Sequence, residues 1–194
     1  MLMTSGLVVA VYFATNKCTL TNLHTERLTD THDIEVPPHV PLRAWTSIRL
    51  DATPDEVFTF LVDEEMLPEW MPDLTHVSYD HDRATSPGAL GLGSQRTLMF
   101  GEHAELENII QLEPPRILIY QILSGVPVRN HQSILVVKEH KRSGTTLTWH
   151  QHFNIKRSSP YGLLMPYIVR RFLNEANSNL IEALGGESIA GCQR

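Results

Sequence analysis

The chain has 194 residues, 42% of them hydrophobic and 20% charged, which places it among ordinary globular proteins and excludes disordered or fibrous classes. A formal net charge of -6 and a pI near 5.9 offer no basic stripe for phosphate backbones, so no nucleic-acid partner is expected. Cys18 and Cys192 lie near opposite ends and form neither a metal-ligand spacing nor a disulfide framework.

The first 38 residues read as an extension. The apolar run "LVVAVYFA" at residues 7–14 has the length of a signal-peptide core but no preceding Lys or Arg, and Lys17 before Cys18 speaks against a lipobox. It is too short for a bilayer, which takes ~20 apolar residues. The expectation is a cytoplasmic protein without stable membrane insertion, with export left open by this run. "TLTNLHTERLTDTHDIEVPP" is linker-like and ends in a Pro-Pro pair, so a single folded domain is expected over residues 39–187, followed by a short tail at 188–194.

"VPLRAWTSIRLDA" alternates as a first strand, with Ala44, Thr46, Ile48 and Leu50 on one face. In "ATPDEVFTFLVDEEMLPEWMPDL", Thr53 is an N-cap, Pro54 takes the first helical position and Glu56 completes a capping box. That helix runs to about Asp63 and buries Val57, Phe58 and Leu61. A second short turn carries Met66, Leu67 and Trp70. Six strand-like runs follow, "LTHVSYDHD", "SQRTLMFGE", "AELENIIQLE", "RILIYQILSG", "HQSILVVKEH" and "TTLTWHQHFNIK", punctuated by Gly and Pro turns that imply an antiparallel meander. "SSPYGLLMPYIVRRFLNEANSNLIEALGG" is a long amphipathic helix with Ser159 as cap and Pro160 in its first turn. Ile168, Phe172, Ala176, Leu180 and Leu184 form its apolar stripe. Pro166 is expected to kink it near the start.

A strand, two short helices, a six-strand meander and a long last helix make an α+β unit of about seven strands curved around one helix. The stretches "ATPDEVFTFLVDEEMLPEWMPDL", "ILSGVPVRNHQS", "SGTTLTWHQHF" and "SSPYGLLMPYIVRRFLNEANSNLIEAL" resemble the polyketide cyclase/dehydrase and lipid-transport family of the START/Bet v 1-like, helix-grip superfamily. The resemblance covers roughly residues 39–187. It implies an apolar cavity between sheet and last helix that takes a hydrophobic small molecule such as a lipid, polyketide or quinone, and no universal catalytic motif. No cofactor is implied.

Strand parity sorts the remaining residues. In "TLTWHQHFNIK", Leu147, Trp149, Gln151, Phe153 and Ile155 take the inner face, which leaves His150 and His152 on the outer, solvated one; two histidines without a third ligand make no metal site. Gln151 is the polar misfit inside, and Gln132 on the preceding strand is expected to face it across the cavity. Asn108 shares a parity with Leu106 and Ile110, a polar group among inward residues. Trp70 and Met71 close one end, Tyr120 offers a phenol to a ligand, and Ile168 and Phe172 face the cavity from the helix. His131, Glu107 and Asp80 are the acid-base candidates, with nothing in the sequence to pair them.

Three functions compete. A carrier or chaperone for a hydrophobic molecule leads, and needs a cavity of at least roughly 300 Å³. An aromatase/cyclase or dehydratase is second, and needs His131 and a carboxylate turned inward together. A protein-interaction module is third, and needs an exposed apolar patch on the outer sheet face. The oligomeric state is open.

Overall fold

The computed structural model describes residues 39–191 except 141, 142, 157 and 160. The apolar run at residues 7–14, the linker, both cysteines and Pro160 lie outside the described residues. The chain runs β1 (Leu42–Leu50), α1 (Pro54–Val62), α2 (Leu67–Trp70), β2 (His76–Asp80), β3 (Gln95–Phe100), β4 (His103–Glu113), β5 (Ile117–Ser124), β6 (Val128–Glu139), β7 (Thr145–Ile155), α3 (Met165–Leu184) and β8 (Gly186–Gly191). All pairings are antiparallel, in the order β2-β3-β4-β5-β6-β7-β1-β8. This is the helix-grip α+β fold, with one strand more than the expected seven.

Thr53 starts α1 as its side chain and Glu56 satisfy each other's backbone N–H groups, and the helix buries Val57, Phe58 and Leu61. A 3-10 turn over Gly162–Leu164 precedes α3, whose first turn holds Pro166. The expected kink is therefore absent: a proline in the first turn removes no intrahelical hydrogen bond and meets no carbonyl four residues back. Ser159 likewise stands too far upstream to cap α3. Gly185 ends the helix at φ 71°, and residues 188–191, expected to begin a short tail, pair with β1 instead.

α3 and the two short helices pack on the concave face, where Ile48, Leu61, Trp70, Leu135, Trp149 and Leu180 belong to one core. The convex face is apolar too. Ile117, Ile119, Ile134 and Val136 form a second buried cluster, with Ile110 against it. His150 and His152 lie on that outer face as parity requires, but both are buried. Expecting them in water was mistaken, because their neighbours are these isoleucines and Trp45, whose ring meets His150 edge-on at 6.4 Å. The outer cluster is buried rather than exposed, which removes the observation that an interaction module needed.

Candidate functional site

A cavity of about 190 Å³ opens between the concave face and the N-terminal half of α3. Leu98, Phe100, Ile122, Met165, Val169 and Phe172 make most of its wall apolar, and Glu105, Glu107, Tyr120, His131 and Gln151 bring polar groups into it.

Five of the expected ligand residues line it: Met71, Tyr120, Gln151, Ile168 and Phe172. Three more stand behind the wall. Trp70 is buried, donates its Nε1–H to the Phe60 carbonyl at 2.7 Å and packs edge-on against Trp149, so it is a core residue rather than a mouth residue. Trp149 packs against Phe172, and Phe153 stacks behind His131.

Leu106, Asn108 and Gln132 were expected inside and point outward. On β4 the register pairs Arg96 with Glu107 and Leu98 with Glu105, which puts the two glutamates on the inner face and Leu106 and Asn108 on the outer one. On β6, Asn130 adopts φ 49° where the register slips, and Ser133 then pairs with Gln151 while Gln132 pairs with His152. Asp80 is exposed at the end of β2, its carboxylate accepting from the Asp82 N–H, and takes no part.

The charged half of the site is built on β3 and β4. Arg96 is fully buried, its Nε–H donating to Glu107 and its guanidinium 4.6 Å above the Tyr120 ring. Burial opposes its charge, but Glu107, Tyr79 and Tyr120 outweigh burial and raise its pKa. Burial raises the pKa of Glu107, with Arg96 opposing. Glu105 is raised well above the ordinary carboxylate value by burial and by the neighbouring Glu107, to which it is hydrogen-bonded. Two carboxyls beside one guanidinium resist ionising together: Arg96 favours the charge on Glu107, and burial beside that charge favours the proton on Glu105.

The neutral half is a directed chain of hydrogen bonds. The Ile122 backbone N–H donates to His131 Nδ1 at 3.1 Å, so the ring's proton sits on Nε2, which donates to Gln151 Oε1 at 2.7 Å. Burial pushes His131 down to about 4, which keeps it neutral. Gln151 Nε2 donates to Ser133 Oγ at 3.2 Å, and Trp149 Nε1 donates to the same oxygen at 2.7 Å. Both lone pairs of Ser133 are then occupied, so its own O–H turns to Tyr120, with which it is hydrogen-bonded. Tyr120 Oη accepts there and keeps its proton free to donate into the cavity it lines. Burial raises its pKa, with Glu107 adding to the effect, so the phenol stays protonated.

Among the described residues no group of three or more His, Cys, Asp or Glu side chains is placed to hold a metal ion. No helix among them is long and apolar enough to cross a membrane.

A comparison with curated proteins returns no match. Among solved structures the chain is similar to the protein XoxI from Bacillus cereus, at 20% identity over 72% of this chain and 93% of that one, with a TM-score of 0.57. It is also similar to the di-domain ARO/CYC StfQ from the steffimycin biosynthetic pathway, at 14% identity over 73% and 48% of the two chains and a TM-score of 0.57. Ara h 8.0201 shares 12% identity over 74% and 97%, with a TM-score of 0.55. These likenesses carry the fold. The family model described as polyketide cyclase / dehydrase and lipid transport matches residues 42–185, well over half of the chain, and the protein belongs to that family.

Proposed function

We propose that the chain is an acid-base enzyme of the cyclase or dehydratase kind, acting on a small, mostly apolar carbonyl compound. The carrying observation is that the Tyr120 phenol and the Glu105 carboxyl, both pushed by burial toward their protonated forms, share the wall of one apolar cavity with His131. A carbonyl oxygen entering the cavity meets the Tyr120 O–H, and charge developing on that oxygen is stabilised by a donor that is already oriented. Glu105 gives its proton to a β-hydroxyl, which leaves as water, and the carboxylate so formed takes the α-proton, which restores Glu105; Glu107, anchored by Arg96, accepts the Glu105 hydrogen bond between turnovers. His131 has both nitrogens engaged; it orients Gln151 and so the whole chain to Tyr120.

The open volume bears on the choice. About 190 Å³ is below the roughly 300 Å³ required of a carrier for a lipid-sized molecule and is suited to one or two rings. An engineered cavity of ~150 Å³ holds benzene. Hydrophobic binding in this cavity is thus retained, with a smaller occupant and with proton transfer added.

The test is turnover and thermal stabilisation with a panel of small aromatic β-hydroxyketones and β-diketones. Wild type is expected to dehydrate or cyclise at least one. Tyr120→Phe should lower kcat/KM by roughly 10²- to 10³-fold, as loss of an oriented oxyanion donor does elsewhere. Glu105→Gln should abolish turnover while still binding. A panel that neither stabilises the protein nor is turned over would sink the proposal.

A further inference from the structure

The mouth of the cavity is the one place where large apolar side chains gather on the described surface. Leu163, in the turn before α3, is 67% exposed, Tyr161 is 66% exposed and Tyr167 is 50% exposed. Ile168 lines the cavity and is also 43% exposed, so the cavity opens within this patch. Leu163 and Tyr167 are four residues apart, and Arg171, with a side chain 74% exposed, continues the same row. The turn between β5 and β6 adjoins it: the Lys156 N–H donates to the Pro127 carbonyl, and the Gly162 backbone sits against Lys156.

The charge there is opposite to that of the whole molecule. From Lys156 to Leu173 the described residues include Lys156, Arg170 and Arg171 and no acid, in a chain of formal net charge -6. Glu175 is taken by Arg171 at 3.9 Å, and Glu102 stands on the tip of the neighbouring β3–β4 hairpin.

We propose that this end of the molecule docks peripherally on an anionic lipid surface, so that the cavity is filled from the membrane. Exposed Leu and Tyr side chains inserted at the headgroup boundary, flanked by Lys and Arg reaching anionic headgroups, are what such a surface recognises. Tyrosine suits that boundary because its ring is apolar and its tip is wet. The inference is independent of the acid-base reading, since it uses the rim of the cavity and none of its interior donors.

Co-sedimentation of the full chain with phosphatidylcholine vesicles, with and without a minority of phosphatidylglycerol, tests it. Binding to the anionic vesicles is expected, weakening as salt is raised. Leu163→Ser with Tyr167→Ser should abolish it. Lys156→Glu with Arg171→Glu should weaken it roughly tenfold or more, given ~1 kcal/mol per basic residue at such a surface. All four side chains are exposed, and an unchanged melting temperature would show that the fold is intact. Failure to bind the anionic vesicles at low salt overturns the proposal. So does binding that survives both double variants, which would assign it to another part of the chain such as residues 7–14. Equal, salt-insensitive binding to neutral vesicles, or a patch-dependent dimer without vesicle binding, overturns it as well.

Discussion

Glu105 and Glu107 are two positions apart on one strand and on the same face, yet the structure gives them different work. Glu107 neutralises Arg96, and the Glu105 proton is what remains once that charge is balanced. Removing either carboxylate should therefore have opposite effects. Glu107→Gln leaves Arg96 charged in the interior and should cost about 3 to 5 kcal/mol, the usual penalty for breaking a buried pair. Glu105→Gln removes a group whose raised pKa makes folding harder as pH rises above its unfolded value, so its melting temperature should gain more at pH 8 than at pH 5. Equal losses in both variants would disprove this division of labour. Neither residue was legible as a pair. Reading β4 by its apolar positions chose Leu106 and Asn108 for the interior, because a strand that carries two acids inward is against expectation until Arg96 on the neighbouring strand is seen to oppose Glu107. On β7 parity and structure agree, since Trp149 and Phe153 leave little choice of face and Gln151 is carried in with them.

Elements whose signal is local were readable; those made by partners were not. The start of α1 is written in three residues, Thr53, Pro54 and Glu56, whose hydrogen bonds are confined to a single turn. β8 has no comparable signature in "GESIAG", and it is a strand because β1 offers a free edge and the chain can reverse after Leu184. That reversal depends on Gly186. Its φ is 130°, and a Cβ there would stand 2.0 Å from the Arg49 carbonyl oxygen, on the very strand that β8 pairs with. Gly186→Ala should detach β8 while the rest of the sheet persists. Hydrogen exchange is the measurement: β8 amides should exchange about tenfold faster or more, with β6 and β7 protection unchanged. Uniform loss of protection across the sheet, or none, would contradict an independently docked edge strand.

For the molecule as a whole, the middle of the sheet, β5 to β7, is buried on both faces, and this explains where parity succeeds and where it misleads. Alternation tells inside from outside only when one face is wet. On β6, the inward set His131, Ser133, Leu135, Val137 and the outward set Gln132, Ile134, Val136 each hold two aliphatic residues, so the turn geometry at Asn130 decides, and parity alone puts Gln132 on the wrong side. Burial at the cavity wall sets the stability of the fold against pH. His131 titrates at about 4 in the folded state against 6.5 ordinarily, so its contribution is complete above pH 6.5 and is lost as pH falls through 4. The magnitude is on the order of 3 kcal/mol. Glu105 acts in the reverse sense above its ordinary value of 4.5, where its folded state keeps a proton that the unfolded chain has lost, so in the wild type the two slopes partly cancel. In Glu105→Gln the histidine should stand out: unfolding free energy from denaturant titrations should fall steadily from pH 6.5 to 4. Adding His131→Phe should flatten that fall, at the cost of some stability at pH 7 where Ile122 N–H and Gln151 Oε1 lose their partner. A slope that persists in the double variant would place the titrating group elsewhere.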